Sequence, residues 1–252
     1  MIVGAQLYTL RDFCKTPDDL AETLKKVADI GYTTVQLSGT CPVDPAWFKE
    51  QLDANGLRCV ITHTPLDRLQ NEPETVAKEH DVFDCRYVGL GYFGMNKPEE
   101  GQTYARFLEV GKPIAQALKS CDKYFMYHNH AFEFAKQDGK VLLQRMAEDF
   151  SVDELGFTLD TFWVQTGGGD PAWWIEYLKG RVPCIHLKDY AFATDRQTAV
   201  IGEGNINFDR VFTKAQDAGT EFMLVEQDDC NGEDPFECLR RSYEFLKSCG
   251  FR

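Results

Sequence analysis

The chain has 252 residues, 43% hydrophobic and 27% charged, which is the make-up of an ordinary globular protein and long enough for one barrel domain. Its net charge of −13 argues against nucleic acid as a partner, because phosphate backbones are bound by clustered Lys and Arg. No apolar run approaches the roughly 20 residues of a membrane span, and MIVGAQLYTLRD has no basic n-region or apolar stretch of a signal peptide, so the expectation is a cytoplasmic protein with no membrane partner.

Short apolar runs alternate with longer amphipathic ones from the first residue onward. The first strand is read at about 2–8 (IVGAQLY) and is followed by a helix over 17–30, where Leu20, Leu24, Val27 and Ile30 recur at helical spacing and Gly31 is the stop signal. Further strands are read at about 33–38, 58–63, 86–90, 123–130, 155–160, 182–187 and 221–226. Helices are read at about 45–55, 73–82, 99–120, 140–149, 170–179, 207–218 and 234–248. Asp170-Pro171 and Asp234-Pro235 each supply an N-cap followed by Pro in the first turn. Eight strands alternating strictly with eight helices predict an α/β fold, a (β/α)8 TIM barrel, as a single domain over 1–252. A doubly wound sheet would usually carry a Gly-rich fingerprint after its first strand, and QLYTLRD has none. One long loop, about 188–206, follows the seventh strand and is a candidate lid or binding loop.

Nine cysteines are scattered without a CxxC pair. That speaks against a disulfide framework or a zinc knuckle and predicts mostly small buried residues.

Barrel active sites form at the C-terminal ends of the strands, so the polar residues there matter most. The first strand ends in Gln6, Tyr8 and Arg11, Gln36 lies on the second and His63 ends the third. His128 and His130 end the fifth, with Glu133 just beyond, and Asp160 ends the sixth with Trp163 following. His186 and Lys188 end the seventh, and Glu226 the eighth. Of the five histidines only His80 falls on a helix. Glu133, Asp160, His186 and Glu226 thus form a ring on four consecutive strands. Three carboxylates converging there would repel without a cation. One divalent metal resolves this, with Mn²⁺ the expected ion and Mg²⁺, Co²⁺, Fe²⁺ or Zn²⁺ as alternatives.

At these residues the sequence resembles the sugar phosphate isomerase/epimerase family with the xylose isomerase-like barrel, in its YHNHxxEF subgroup. The matching segments are GAQLYTLRD, YHNHAFEF, LDTFWV, HLKD, IGEGNINF and VEQDD, spread nearly end to end. The resemblance implies the same four metal ligands. It also implies an isomerase or epimerase acting on a sugar or keto-sugar by proton transfer through a metal-stabilised enediolate. A lyase or dehydratase acting on a 3-oxo-sugar, 3-oxo-glycoside or inosose is the alternative, and a non-catalytic sugar-binding subunit is the reading from another class. Glu133, Glu226 and His130 are the candidate acid/base residues. Gln6, His63, His128, Trp163 and Lys188 are the candidate substrate-binding residues, with Phe93 a further candidate ring platform. Strand alternation should turn only one of His128 and His130 inward, and His130 is the expected one. Gly202 and Gly204 of IGEGN are a candidate phosphate cradle. Oligomers, with itself or with another chain, are common among such proteins.

Overall fold

A computed structural model describes residues 1–137 and 139–252. Eight parallel strands close into a barrel: β1 (Ile2–Gln6), β2 (Thr34–Leu37), β3 (Arg58–His63), β4 (Tyr87–Leu90), β5 (Tyr124–His128), β6 (Gly156–Asp160), β7 (Cys184–Leu187) and β8 (Phe222–Val225). Each pairs with its sequence neighbours and β8 pairs back onto β1, with Ile2 opposite Phe222. The strands are nearly continuous apolar runs because both faces are covered, by the barrel interior on one side and helices on the other.

The outer helices are α1 (Pro17–Ile30), α2 (Pro45–Ala54), α3 (Leu66–Asn71), α4 (Pro73–Val82), α5 (Tyr104–Ser120), α6 (Leu142–Asp149), α7 (Thr161–Thr166), α8 (Pro171–Tyr177), α9 (Phe208–Ala218) and α10 (Pro235–Ser248). Their starts follow the local chemistry. Thr16 and Asp19 close a capping box on α1, and Asp170 and Asp234 cap α8 and α10 ahead of their prolines, as the sequence predicts. Gly31 ends α1 at φ 124°, a conformation that side chains resist. Phe107, Phe125, Phe150 and Phe157, all buried, fill the layer between strands and helices; each contributes about 1.5–3 kcal/mol by leaving water.

Three features depart from the sequence reading. A 3-10 segment, Leu7–Phe13, follows β1 directly, where the strand was expected to run to residue 8. The short α3 and α7 occupy loops whose length was too small to show helical periodicity. The long segment after β7 contains a hairpin, Asp189–Phe192 paired with Arg196–Ala199. One irregularity bears on the site: the β2–β3 register shifts between Val35 and Gln36, where the partners jump from Cys59 to Ile61. Such a bulge re-aims side chains at a barrel rim. No helix among the described residues is long and apolar enough to cross a membrane. All nine cysteines are unpaired, and six of them are buried.

Candidate metal centre and active site

Four buried groups converge at the ends of β5 to β8: His128, Asp160, His186 and Glu226 each offer a ligand atom, and these atoms lie within 4.8 Å of one another. The strand register explains the meeting, since Asp160 sits opposite His186 and His186 opposite Leu224, two residues before Glu226.

Each donor is held by a second contact. Asp160 caps α7: its Oδ1 accepts from the Trp163 N–H at 2.9 Å, which leaves Oδ2 for the centre. Its own N–H donates to Asn129 Oδ1. The His128 Nδ1–H donates to the Gly91 carbonyl at 3.1 Å, so Nε2 faces Asp160 Oδ2 at 3.3 Å. The His186 Nε2–H donates to Gln36 Oε1 at 2.6 Å, so Nδ1 faces Glu226 Oε2 at 2.9 Å. In both imidazoles one nitrogen donates outward and the other offers its lone pair inward, as in metal-ligating histidines. His186 Nδ1 is buried, and the Glu226 Oε2 that it faces is buried as well. Two acceptors facing each other need a proton or a cation between them. The donor set therefore fits a divalent ion.

Lys188 enters the same cluster from the end of β7. Its Nζ lies 3.0 Å from Asp160 Oδ2, 2.9 Å from Glu226 Oε2 and 3.0 Å from Asp228 Oδ2. Burial alone would raise the carboxyls of Asp160 and Glu226. The ammonium, together with the facing histidines, outweighs it and holds Asp160 and Glu226 well below the ordinary carboxylate range. Burial disfavours the charged form of His186 too, but Glu226 and Asp160 hold it up to about 8.

A cavity of about 570 Å³, within the range of small-molecule sites, opens beside this centre. His128, Glu226, Lys188 and Asp228 line it, with His63, His130, Trp163, Tyr8, Tyr92 and Arg11 around the wall. His63 Nε2 and His130 Nδ1 are buried without partners, and burial pushes His130 down to about 3. The His130 ring stacks on Phe132 and meets Trp163 at 5.4 Å.

Several expectations need correcting against this geometry. Glu133 does not join the ring. It is buried in the 3-10 turn Phe132–Phe134, where it accepts from the Tyr127 hydroxyl at 2.7 Å and the His130 N–H at 2.8 Å. Burial pushes its carboxyl up to about 7. His128, expected as a substrate-binding residue, stands in the converging group instead. Alternation does not choose between His128 and His130, because β5 ends at His128 and both rings reach the cavity, 4.8 Å apart. Gln6 is fully buried and absent from the cavity wall; its Oε1 accepts from the Tyr8 N–H. Phe93 packs in the core against Phe107. The IGEGN amides are already taken: the N–H groups of Gly202, Gly204 and Ile206 donate to the Asp189 carboxylate at 2.9, 2.9 and 3.2 Å. A Cβ on Gly204 would lie 2.4 Å from Asp189 Oδ1, so glycine is required there. His63, His130, Trp163 and Lys188 all line the cavity, where the sequence placed them. Gln36 was visible as a polar strand residue, but nothing in one sequence linked it to His186 across the barrel.

The family model for the xylose isomerase-like TIM barrel matches residues 24–249. No curated protein matches the sequence. Among solved structures, a sugar phosphate isomerase/epimerase from Parabacteroides distasonis ATCC 8503 superposes with a TM-score of 0.80 at 21% identity, over 98% of this chain and 93% of that one. An L-ribulose 3-epimerase superposes at 0.75 with 16% identity, over 98% and 94% of the two chains. A probable 3-DHS dehydratase from Bacillus anthracis superposes at 0.69 with 14% identity, over 98% and 99%. At these identities the likeness is one of fold.

Proposed function

Since the chain belongs to the xylose isomerase-like TIM-barrel family, we propose that it is a divalent-metal-dependent isomerase or epimerase that transfers a proton on an unphosphorylated sugar or keto-sugar. The observation that carries this reading is the convergence of His128, Asp160, His186 and Glu226 within 4.8 Å, beside a cavity with unpartnered histidine nitrogens. These four residues would hold the ion, Mn²⁺ by the mixed nitrogen and oxygen donors. When bound, the ion would supply Lewis acidity beside a substrate carbonyl and so acidify the neighbouring C–H.

The chain's own groups do the rest. His130 is the assigned proton acceptor and donor: its side chain lines the cavity, and its backbone N–H is fixed by Glu133. Glu226, which also lines the cavity, is the second assigned proton carrier. His63 and Trp163, both on the cavity wall, are the groups assigned to hold the sugar. The absence of phosphate rests on two observations. Asp189 fills the glycine cradle. Arg11, on the cavity wall, is also engaged: it donates to the Tyr8 and Asp228 carbonyls. With a leaving group beside the carbon that loses its proton, the same residues would support elimination. The fold shared with a probable 3-DHS dehydratase favours keeping that second reading.

The test is incubation of chelator-treated protein with ketoses and 3-oxo-glycosides in D₂O, with and without Mn²⁺. Metal-dependent entry of deuterium beside the carbonyl is expected. In His130→Gln turnover should fall by about 10²–10⁴-fold with metal still bound. Turnover unaffected by metal removal, or product without solvent label, overturns the proposal. An unsaturated product selects elimination.

A further inference from the structure

We propose that the Lys188 ammonium is a built-in counter-cation of the metal centre: it neutralises the site before an ion binds, and ion loading drives it off Asp160 and Glu226 onto Asp228, at the cavity wall. The inference rests on the metal reading above and goes beyond it by giving the centre two charge states.

The geometry supplies the first state. Lys188 is fully buried, and its Nζ lies within 3.0 Å of three carboxylates. Without it, Asp160 and Glu226 would be buried anions in mutual contact with the same histidines, an arrangement that costs heavily in a low dielectric. The ammonium contacts the same two oxygens that point to the centre, Asp160 Oδ2 and Glu226 Oε2. Those oxygens also face the imidazoles, at 3.3 Å from His128 Nε2 and 2.9 Å from His186 Nδ1. An ion held by those four atoms and an ammonium held by two of them cannot share the oxygens without strong like-charge repulsion.

The third carboxylate supplies the second state. Asp228 is outside the converging ligand group, its side chain is 31% exposed, and it lines the cavity. The Lys188 backbone is fixed, with its N–H donating to Thr161 Oγ1 and its carbonyl accepting from the same hydroxyl. Only the flexible side chain has to move, and it already lies 5.4 Å from the Trp163 ring on the cavity wall. Loading would thus deliver a cation to the substrate side at the moment the ion arrives, and the loaded site alone would present a donor for a substrate oxygen.

The experiment is Mn²⁺ titration by calorimetry of chelator-treated wild type, Lys188→Met and Lys188→Gln, with thermal unfolding of each protein with and without Mn²⁺. Removal of the competing charge should tighten Mn²⁺ binding at least tenfold in both variants, and should lower the melting temperature of the ion-free variants by more than that of the ion-loaded ones. Lys188→Gln, which can still donate to the carboxylates, guards against a variant that fails to fold. Equal or weaker Mn²⁺ binding in the variants overturns the inference and leaves the metal reading standing. No binding of Mn²⁺ by any of the three proteins overturns both.

Discussion

His186 Nε2 lies 2.6 Å from Gln36 Oε1, a contact between β7 and β2, which are not neighbours in the barrel. It fixes the imidazole so that Nδ1, not Nε2, is offered to the centre. The amide does this where the β2–β3 register slips, so local strand geometry and ligand orientation are linked. Replacing Gln36 by Leu removes the acceptor while keeping the bulk. Mn²⁺ affinity is expected to fall by about 10–100-fold, with the melting temperature of the ion-free protein little changed. Calorimetric titration measures it, and unchanged affinity would show that His186 orients itself without help.

Glu133 and His128 make opposite predictions. Glu133 is occupied by the Tyr127 hydroxyl and the His130 N–H. Glu133→Gln should therefore keep one bound Mn²⁺ per chain while losing about 1–3 kcal/mol of stability, because an amide cannot accept both bonds as a carboxyl does. His128→Ala should lose the ion. Metal content by elemental analysis separates the two, and loss of Mn²⁺ from Glu133→Gln would return Glu133 to the ligand set.

The barrel was legible because each strand is a buried apolar run bounded by a helix with its own caps; 58–63 and 17–30 coincide with Arg58–His63 and Pro17–Ile30. Asp160, His186 and Glu226 were legible because each directly ends or follows a strand. Glu133 was misplaced because it lies beyond the end of β5, where the period of two no longer says which way a side chain points. Only the 3-10 turn decides, and three residues are too few to show it in sequence. The Lys188 contacts were hidden for another reason: they join β6, β7 and the segment after β8, and one sequence shows no pairing across strands.

Asp189 predicts a structural rather than a binding role for the IGEGN segment. Its carboxylate gathers the amides of Gly202, Gly204 and Ile206 and the adjacent Tyr190 N–H. Asp189→Ala would leave four donors to find water or remain unpaired, at a cost of about 2 kcal/mol or more. The urea midpoint should fall accordingly. Inorganic phosphate should leave the wild-type melting temperature unchanged, since the amides it would need are taken.

His80 gives a prediction in pH. It is buried on α4, with its Nδ1–H donating to the Val76 carbonyl at 2.7 Å and Nε2 accepting from Thr62 Oγ1 at 2.8 Å. Burial, with Lys123 adding to it, pushes its pKa from 6.5 down to about 4 against the opposing pull of the Val76 carbonyl. The unfolded chain takes up a proton as pH falls through 6.5, whereas the folded chain resists until about 4. The unfolded state therefore binds more protons in that window, and the contribution of His80 is fully present above 6.5 and lost as pH falls toward 4. The gap corresponds to about 3 kcal/mol at most. Comparison of wild type with His80→Gln by urea unfolding isolates it, since other titrating groups cancel in the difference. The stability of wild type relative to the variant should rise from pH 4 to 6.5 and stay level above. A difference that does not change across that range would mean the folded imidazole titrates like a solvent-exposed one, with its two hydrogen bonds broken in solution.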